Sequence, residues 1–272
     1  MLKLFFLLLI ALEGCLCAHL SHVVMPFHQR QAQKVKENLK LWSKYPPCRD
    51  QNMRVGFIFY VSGLRNDSLA NDLISSFDSS CFDTIIVEFA ELSAKDDQYL
   101  KGTRLMFEKM ISKGMNFGTI TPSHVFYMEP DAVPIRPYWL EGINQQIISP
   151  NALFWVKGSF FRGHSNTILS KKIYNHIHIN GNAIYNLEDE RFRKFYFGRL
   201  RKFIEKYFNE GAYDTDFFKF LLWDNAKYSS KYFHLFQFSD FIQNHWHSNY
   251  SLTEILENCP NTYLIHGGQA RQ

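Results

Sequence analysis

The chain has 272 residues, of which 46% are hydrophobic and 17% aromatic, and its formal net charge is +4 at pH 7. This composition supplies enough apolar surface for one large folded domain and excludes an intrinsically disordered chain. The modest positive charge does not indicate a protein that binds nucleic acid.

Residues 1–18 have the pattern of a secretory signal peptide. Lys3 precedes a short apolar run, and small residues follow it up to Ala18. The run is shorter than the roughly 20 residues that span a bilayer. A cleaved signal is therefore favoured, and a short signal anchor is the alternative. We predict a protein of the secretory pathway, in the Golgi or ER lumen or secreted, and sequons at Asn66 and Asn249 agree with this.

Residues 19–53 are predicted to form an N-terminal arm, with a polar helix before the proline pair at 46–47. Three cysteines remain after residue 18: Cys48, Cys81 and Cys259. In an oxidising compartment this odd number predicts one disulfide and one free thiol. The sequence does not determine which two of the three cysteines pair.

Strands and helices alternate regularly from Arg54 onward. Three continuous apolar runs predict buried strands, at 55–61, 82–89 and 124–128. Segments with apolar residues at helical spacing lie between these strands, at 67–77 and 96–112. This pattern is typical of the α/β class, with a mainly parallel sheet flanked by helices. We expect one such domain to span residues 54–272.

An acidic pair, Glu129 and Asp131, follows the third predicted strand, with Pro130 between the two carboxylates. Ligands of parallel sheets bind beyond the carboxyl ends of the strands, where this pair lies. Two carboxylates there can hold a hard divalent cation and leave positions for a phosphate. A turn that caps a helix is the alternative interpretation. The segment resembles a variant of the acidic "DXD" signature of nucleotide-sugar glycosyltransferases of the GT-A fold, with Glu in place of the first Asp.

Later motifs extend this resemblance to about residue 267. A proline-containing turn that enters a Trp-Leu helix follows the acidic pair at 134–140, and another strand is predicted at 154–159. His266 ends a short apolar strand near the C-terminus. The resemblance implies that His266 is the third protein ligand of the metal. An imidazole beside two carboxylates suits Mn²⁺ better than Mg²⁺. A surface histidine before a glycine turn is the alternative.

The resemblance also implies two donor-binding segments. The end of the first predicted strand would receive the nucleotide, at Val61, Ser62 and Gly63. A polar turn between apolar segments would bind sugar hydroxyls or the diphosphate, at Asn180, Gly181 and Asn182. Because Asn and Gly tolerate positive φ, a plain hairpin turn is the alternative for this second segment.

Asp214 is the predicted catalytic base. In inverting enzymes of the GT-A fold, an acidic residue at a helix start deprotonates the acceptor hydroxyl, and Asp214 stands before a predicted helix at 217–223. Asp216 and Asp189 are the other candidates. Each of these carboxylates would also serve as a helix N-cap, which is the alternative interpretation. A retaining transfer needs no such base.

Residues 191–206 are rich in basic and aromatic side chains and are predicted to form an amphipathic helix. A solvated basic face is the simplest interpretation of this segment. An anionic acceptor or a membrane-surface contact is the alternative.

The sequence therefore predicts a metal-dependent glycosyltransferase, a hexosyl- or pentosyltransferase. It would move a sugar from a nucleotide-diphosphate donor to a glycan or glycoprotein acceptor, without a nucleic-acid partner. Two other functions stay open: a secreted carbohydrate-binding protein that has lost turnover, and a metal-dependent hydrolase. No pattern in the chain identifies the donor sugar, the acceptor, the stereochemistry of transfer or the oligomeric state.

Overall fold

The computed structural model describes residues 18–49, 53–148, 153–163, 174–208, 211–223 and 229–271. The predicted signal peptide lies almost entirely outside the described residues. Among the described residues, no helix combines the length and the hydrophobicity that crossing a bilayer requires.

Twelve strands are described. They are β1 (Leu20–Phe27), β2 (Gly56–Val61), β3 (Thr84–Phe89), β4 (His124–Tyr127), β5 (Ala132–Pro134), β6 (Val156–Gly158), β7 (Ala183–Asn186), β8 (Phe236–Phe238), β9 (Ile242–Asn244), β10 (Asn249–Ser251), β11 (Leu264–His266) and β12 (Gln269–Arg271). Seven of them form the central sheet, in the order β3-β2-β1-β4-β7-β6-β8. Neighbouring strands in this sheet are parallel except at β7, which is antiparallel to β4 and to β6.

The α-helices are α1 (Ala32–Leu41), α2 (Asp67–Ser75), α3 (Lys101–Ile111), α4 (Trp139–Ile148), α5 (Tyr174–Ile177), α6 (Glu190–Phe195), α7 (Arg201–Tyr207), α8 (Tyr213–Leu221) and α9 (Leu252–Asn258). A π-helical turn, Tyr196–Leu200, joins α6 to α7. Short 3-10 helices span Gln29–Gln31 and Ser230–Leu235.

Helices cover both faces of the central sheet. On one face, side chains of α3 and α8 such as Phe107 and Phe217 pack against β4 and β7. On the other face, side chains of α1 and α4 such as Val35 and Trp139 pack against β1 and β2. Because both faces are covered, the central strands are apolar on both sides. The predicted α/β architecture, a mainly parallel sheet flanked by helices, is confirmed.

The N-terminal segment departs from the sequence analysis. Where an arm was expected, β1 forms an interior strand of the central sheet, paired with β2 and β4. Ser21 and His22 are fully buried in this strand, which gives it a polar start that does not resemble a core strand. The Ser21 hydroxyl donates to the carbonyl of His124 over 3.0 Å and accepts from the amide of Ser123 over 2.9 Å. These bonds satisfy the buried hydroxyl. The polar helix expected in this segment is α1.

The predicted helix at 96–112 begins later than expected, at Lys101. Leu100 has a φ of 71°, and this positive φ is incompatible with a right-handed helix, so the helix cannot extend back through Leu100.

The prediction of one disulfide and one free thiol is confirmed. Cys48 pairs with Cys81, with 5.7 Å between their Cα atoms, and Cys259 is free.

A three-stranded sheet, β5-β11-β9, lies beyond the carboxyl edge of the central sheet. β11 runs antiparallel to β5 and parallel to β9. In this register His266 is opposite Ala132 on one side and opposite Asn244 on the other. The small sheet therefore joins the end of the chain to the loop that carries the acidic pair.

Candidate functional site

The acidic pair lies in a tight turn directly after β4. The amide of Ala132 donates to the carbonyl of Glu129 over 2.9 Å, which closes the turn. From α1, the buried amide of Asn38 donates to the carbonyls of Pro130 and Ala132, over 3.2 and 2.8 Å. These bonds satisfy the turn carbonyls away from water and fix the direction of both carboxylates.

His266 completes a group of three candidate metal ligands. Its Nε2 atom lies 3.0 Å from Oε2 of Glu129 and 3.3 Å from Oδ1 of Asp131. One ligand atom from each residue lies within 4.8 Å of the other two. The site therefore brings together all three metal ligands that the sequence and the resemblance proposed.

Asn244 fixes the tautomer of His266 that a metal requires. Nδ1 of His266 lies 3.1 Å from Oδ1 of Asn244, and the same oxygen accepts from the amide of Trp246 over 3.1 Å. Because that atom accepts from a backbone N–H, it is the amide oxygen, and Nδ1 of the imidazole must donate to it. Nε2 is then the nitrogen that can coordinate, which is the usual arrangement of a metal-binding histidine.

In the absence of a cation, a proton on His266 balances the two carboxylates. Burial disfavours the charged imidazole, but hydrogen bonds and charge attraction from Asp131 and Glu129 outweigh it and raise the pKa of His266 to about 10. Burial also disfavours the charge on Asp131. His266 and Lys34, whose Nζ lies 3.3 Å from Asp131, nevertheless hold the pKa of this carboxyl well below its usual range. The site thus favours positive charge at its centre.

The donor set fits a divalent cation. Two carboxylates and one neutral imidazole suit first-row divalent ions. The His266 side chain is 5% exposed, whereas those of Glu129 and Asp131 are 34% and 31% exposed. The carboxylate side of this three-residue group therefore faces solvent, where a ligand could occupy the remaining coordination positions of a cation.

The segment 180–182 positions Glu129. The side chain of Asn182 is buried; its oxygen accepts from the amide of Glu129 over 2.7 Å, and its nitrogen donates to Oε2 of Glu129 over 2.9 Å. The same nitrogen donates to Oδ1 of Asn180 over 2.8 Å. A Cβ at position 181 would collide with the Tyr213 hydroxyl, so glycine is required there. The segment lies between α5 and β7, so it does not join two strands and is not a two-residue hairpin.

Asp214 lies in the first turn of α8, but the N-cap of that helix is Ala212. Oδ2 of Asp214 accepts from the amide of Gly181 over 3.0 Å and lies 3.5 Å from Nε2 of His178, and Oδ1 accepts from the amide of Thr215 over 2.8 Å. Burial alone would raise its pKa. The charge and hydrogen bond of His178, with those two amides, lower the pKa of Asp214 below its ordinary value. Asp214 thus holds the segment 180–182 against α8.

The two other candidates for the base have structural partners. Asp216 is fully buried between Arg201 and Lys219, at 3.0 and 2.6 Å. Asp189 is the N-cap of α6 and accepts from the amide of Arg191 over 2.9 Å. It follows the end of β7, which is antiparallel to β4, so it lies at the sheet edge opposite Glu129.

The predicted nucleotide-binding segment ends β2 at the same edge as Glu129. Val61 is buried in the core, and the side chain of Gln29 packs against the backbone of Gly63. The Ser62 hydroxyl donates to Oδ2 of Asp97 over 3.0 Å, and Nε2 of His28 lies 3.3 Å from the same oxygen. His28 is the most accessible group of this cluster, with its side chain 39% exposed.

Sequence analysis missed the residues that orient this site. Asn38 and Asn244 are single amides in a helix and in a three-residue strand, without any pattern that marks them. His28 follows β1, so assigning that strand would have shown it at the ligand-binding edge together with Ser62 and Glu129.

No protein-family model matches the chain, and no curated protein sequence matches it. Among solved structures, the fold is similar to the apo form of mouse xyloside xylosyltransferase 1, with a TM-score of 0.55 and 12% identity over 91% of this chain and 97% of that one. An active-site mutant of LgtC gives a TM-score of 0.54 and 11% identity, over 90% of this chain and 86% of that one. The galactosyltransferase LgtC in complex with donor and acceptor sugar analogues gives 0.51 and 12% over the same shares. The chain therefore has the GT-A glycosyltransferase fold.

Proposed function

We propose that this protein is a divalent-metal-dependent glycosyltransferase that moves a sugar from a nucleotide-diphosphate donor to a glycan or glycoprotein acceptor. One observation carries the proposal. Glu129, Asp131 and His266 converge at the ligand-binding edge of a GT-A sheet, with ligand atoms within 4.8 Å of one another. The similar structures include a xylosyltransferase and a galactosyltransferase, which agrees with glycosyl transfer.

The metal ligands would be a carboxylate oxygen of Glu129, a carboxylate oxygen of Asp131 and Nε2 of His266. We propose Mn²⁺ as the ion, with Mg²⁺ as the alternative, because of the imidazole ligand. When bound, such a cation stabilises the negative charge of a departing diphosphate. Asn182 holds the Glu129 carboxylate in place, and Asn244 holds the imidazole, so the site is ordered before the donor arrives.

The donor would extend from the acidic pair along the carboxyl ends of β1 and β2. There the segment Val61, Ser62 and Gly63, with Asp97 and His28 beside it, would meet the nucleotide. At the other end, Asn180 and the segment it begins would contact the sugar. Lys34 lies 3.3 Å from Asp131, and its ammonium group can pair with a phosphate bound next to that carboxylate.

Asp214 has two competing roles in this proposal. As the base of an inverting transfer it would take the proton of the acceptor hydroxyl. Its lowered pKa makes it a weak base, and both of its oxygens already accept hydrogen bonds. These contacts favour a positioning role for Asp214, in which it holds Gly181, within a retaining transfer that needs no such base.

Nucleotide-diphosphate release tests the proposed function directly. We would screen nucleotide sugars with Mn²⁺, with and without saccharide acceptors, and compare the wild type with Asp131→Asn and Asp72→Asn. Asp72 is a suitable control because it is a surface carboxylate that also pairs with a lysine of α1, Lys36. The proposal expects acceptor-dependent release that Asp131→Asn loses and Asp72→Asn keeps.

Other outcomes of the same assay identify the alternative functions. Donor binding without turnover would indicate a carbohydrate-binding protein with an inactive transferase fold. Release that yields free sugar and does not respond to any acceptor would indicate a hydrolase. Metal-independent release that Asp131→Asn retains would contradict the site itself.

A compartment of the secretory pathway, the Golgi or ER lumen or outside the cell, belongs to the same proposal. The Cys48–Cys81 disulfide supports it, because disulfides persist in oxidising compartments. Location of a tagged full-length chain, with and without residues 1–18, tests this part. Retention in the cytosol of the complete chain would contradict it.

A further inference from the structure

A concave groove of about 390 Å³ lies away from the proposed transfer site. Trp155, which directly precedes β6, contributes to it. β6 has the same direction as β4, because both are antiparallel to β7. The start of β6 is therefore at the sheet edge opposite the one that carries Glu129. Nothing in the proposed transfer uses this groove.

One wall of the groove carries three basic side chains in a row. Arg191 and Lys194 are three residues apart on α6, so they share a face. Arg199 comes five residues after Lys194, within the π-helical turn Tyr196–Leu200. A π-helical turn contains more residues than the roughly 3.6 of an α-helical turn, and Arg199 within it lines the same groove as Lys194. The π-helical turn thus extends the basic row.

The opposite wall is the 3-10 helix Ser230–Leu235, which presents Lys231 and His234 to the groove. Residues three apart eclipse each other in a 3-10 helix, so these two side chains also lie on one face. Aromatic rings form the floor between the walls. The rings of Trp155 and Tyr232 are 5.6 Å apart. Trp155 is buried beneath the groove at 2% exposure, and Tyr232 is half-buried, so the Tyr232 ring is the one that a ligand can reach.

The positive charge of the groove is largely uncompensated. No aspartate or glutamate is among the described residues that line it. Arg191 pairs with Asp189, at 2.7 Å. Within the described part of the chain, Lys194, Arg199 and Lys231 have no ion pair. Like charges that converge in a concave surface concentrate a positive potential, which an anionic ligand relieves.

We propose that this groove binds an acidic polysaccharide, a linear glycan that carries carboxylate or sulfate groups along its length. Two facing rows of cations match a chain with repeated negative charges, and the half-buried ring of Tyr232 offers an apolar contact to the C–H surface of a sugar ring. A membrane surface fits less well, because a flat array of headgroups cannot reach the floor of a concave groove. The proposal concerns a separate surface and does not rest on the transferase function.

The test uses the full chain and a heparin octasaccharide as the probe. Lys194→Ala/Arg199→Ala removes two cations of the groove, and Lys202→Ala/Lys206→Ala is the matched control. The control residues are exposed on the adjoining α7, outside the groove lining, and their loss changes the net charge equally. Losing two exposed charge contacts should weaken octasaccharide binding about tenfold in the groove variant. The control should stay within about twofold of the wild type.

Each other result overturns the proposal. Equal weakening in both variants would mean diffuse attraction to basic surface. Equally tight binding of a neutral dextran octasaccharide would remove the role of charge. Binding of phosphatidylserine-containing vesicles that the groove variant loses, without octasaccharide binding, would make the groove a membrane contact. Thermal unfolding of both variants, expected to match the wild type because the substituted side chains are exposed, ensures that a change in binding is not a change in folding.

Discussion

At the scale of single residues, Asn182 orients the Glu129 carboxylate through two hydrogen bonds. Asn182→Ala removes both hydrogen bonds to Glu129, so we expect Mn²⁺ affinity to fall about 10- to 100-fold, the usual effect of losing a group that orients a ligand. Calorimetric titration of Mn²⁺ measures this. Asn186→Ala is the control, because Asn186 is buried at the other end of β7 and donates to the carbonyl of Phe154. A control variant that loses as much affinity would contradict the role of Asn182.

If the proposed site binds a metal, we expect His266 to make that binding depend on pH in the neutral range. Its pKa is raised to about 10 without metal, so a proton must leave when a cation binds. An ordinary imidazole would show this effect only below about pH 6.5. We expect Mn²⁺ affinity to rise about tenfold per pH unit from pH 6.5 towards 9, with about one proton released. Calorimetry in buffers of different ionisation enthalpy measures that proton. Affinity that is independent of pH above about 7 and falls only below about pH 6.5 would contradict the raised pKa of His266, and affinity independent of pH down to about 5 would exclude His266 as a ligand.

The raised pKa of His266 makes the stability of the metal-free protein change with pH in the opposite direction: metal affinity rises with pH, whereas stability falls. A group whose pKa is raised on folding stabilises the folded state below its unfolded pKa. That contribution is lost as the pH rises through the folded value. The interaction of His266 with Glu129 and Asp131 is therefore fully present below about pH 6.5. It disappears as the pH rises through about 10.

Asp214 provides a test between two mechanisms. Its hydrogen bonds to Gly181 and Thr215 favour a positioning role, so Asp214→Asn should lower turnover less than about tenfold and destabilise the fold by about 1–3 kcal/mol. Steady-state kinetics and urea unfolding measure the two effects. A turnover loss of roughly 10²–10⁴-fold with donor affinity unchanged would instead show that Asp214 is the base of an inverting transfer. The anomeric configuration of the product, observed by NMR, is the independent check.

At the scale of elements, β1 and β4 each bury one histidine in the central sheet, His22 and His124. Burial lowers the pKa of His22 and that of His124 to about 4, so both imidazoles are neutral in the folded protein. A group whose pKa is depressed in this way costs stability once the unfolded chain can bind the proton. The loss begins below about pH 6.5 and continues to about pH 4.

Burial also lowers the pKa of His245, which directly follows β9, to about 4. We therefore expect the free energy of unfolding to fall by about 1.4 kcal/mol per pH unit for each of these three histidines in that window. Urea unfolding at intervals between pH 7 and 4, with chelator present, measures the slope. His124→Gln should flatten it by about a third, because His22 and His245 still titrate. A wild-type profile that is flat between pH 6.5 and 5 would show that these side chains are accessible to protons in the folded state.

The sequence predicts a strand when the strand is long enough to show a pattern and when its buried residues are apolar. β2, β3 and β4 were predicted because their side chains are apolar on both faces. β1 was missed because Ser21 and His22 are polar and yet buried. β5, β9 and β11 have three residues each, too few for any periodicity. Their pairing is what brings His266 to the acidic turn, so only family resemblance could propose that histidine.

At the scale of the whole molecule, the central sheet separates two surfaces with opposite electrostatic character. The edge with Glu129 and Asp131 attracts cations, and the opposite edge has the basic groove that contains Lys194 and Arg199. Sites on opposite edges share no side chain, so their substitutions should act independently. A glycan held at one edge could still keep its other end near the transfer site, because a polysaccharide is long compared with a single strand.

We expect the Cys48–Cys81 disulfide to contribute to the stability of the whole fold in an oxidising compartment. It links the segment after α1 to the segment before β3 across a sequence separation of 33 residues. Closing a loop of this size restricts the unfolded chain, and the loop-entropy relation gives about 4 kcal/mol of stabilisation. We expect Cys48→Ser/Cys81→Ser to lose about that much in urea unfolding and to become insensitive to dithiothreitol. Cys259→Ser, which removes the free thiol, should stay within about 0.5 kcal/mol of the wild type and keep its response to the reductant. Equal losses in both variants would show that cysteine packing, and not the covalent link, stabilises the protein.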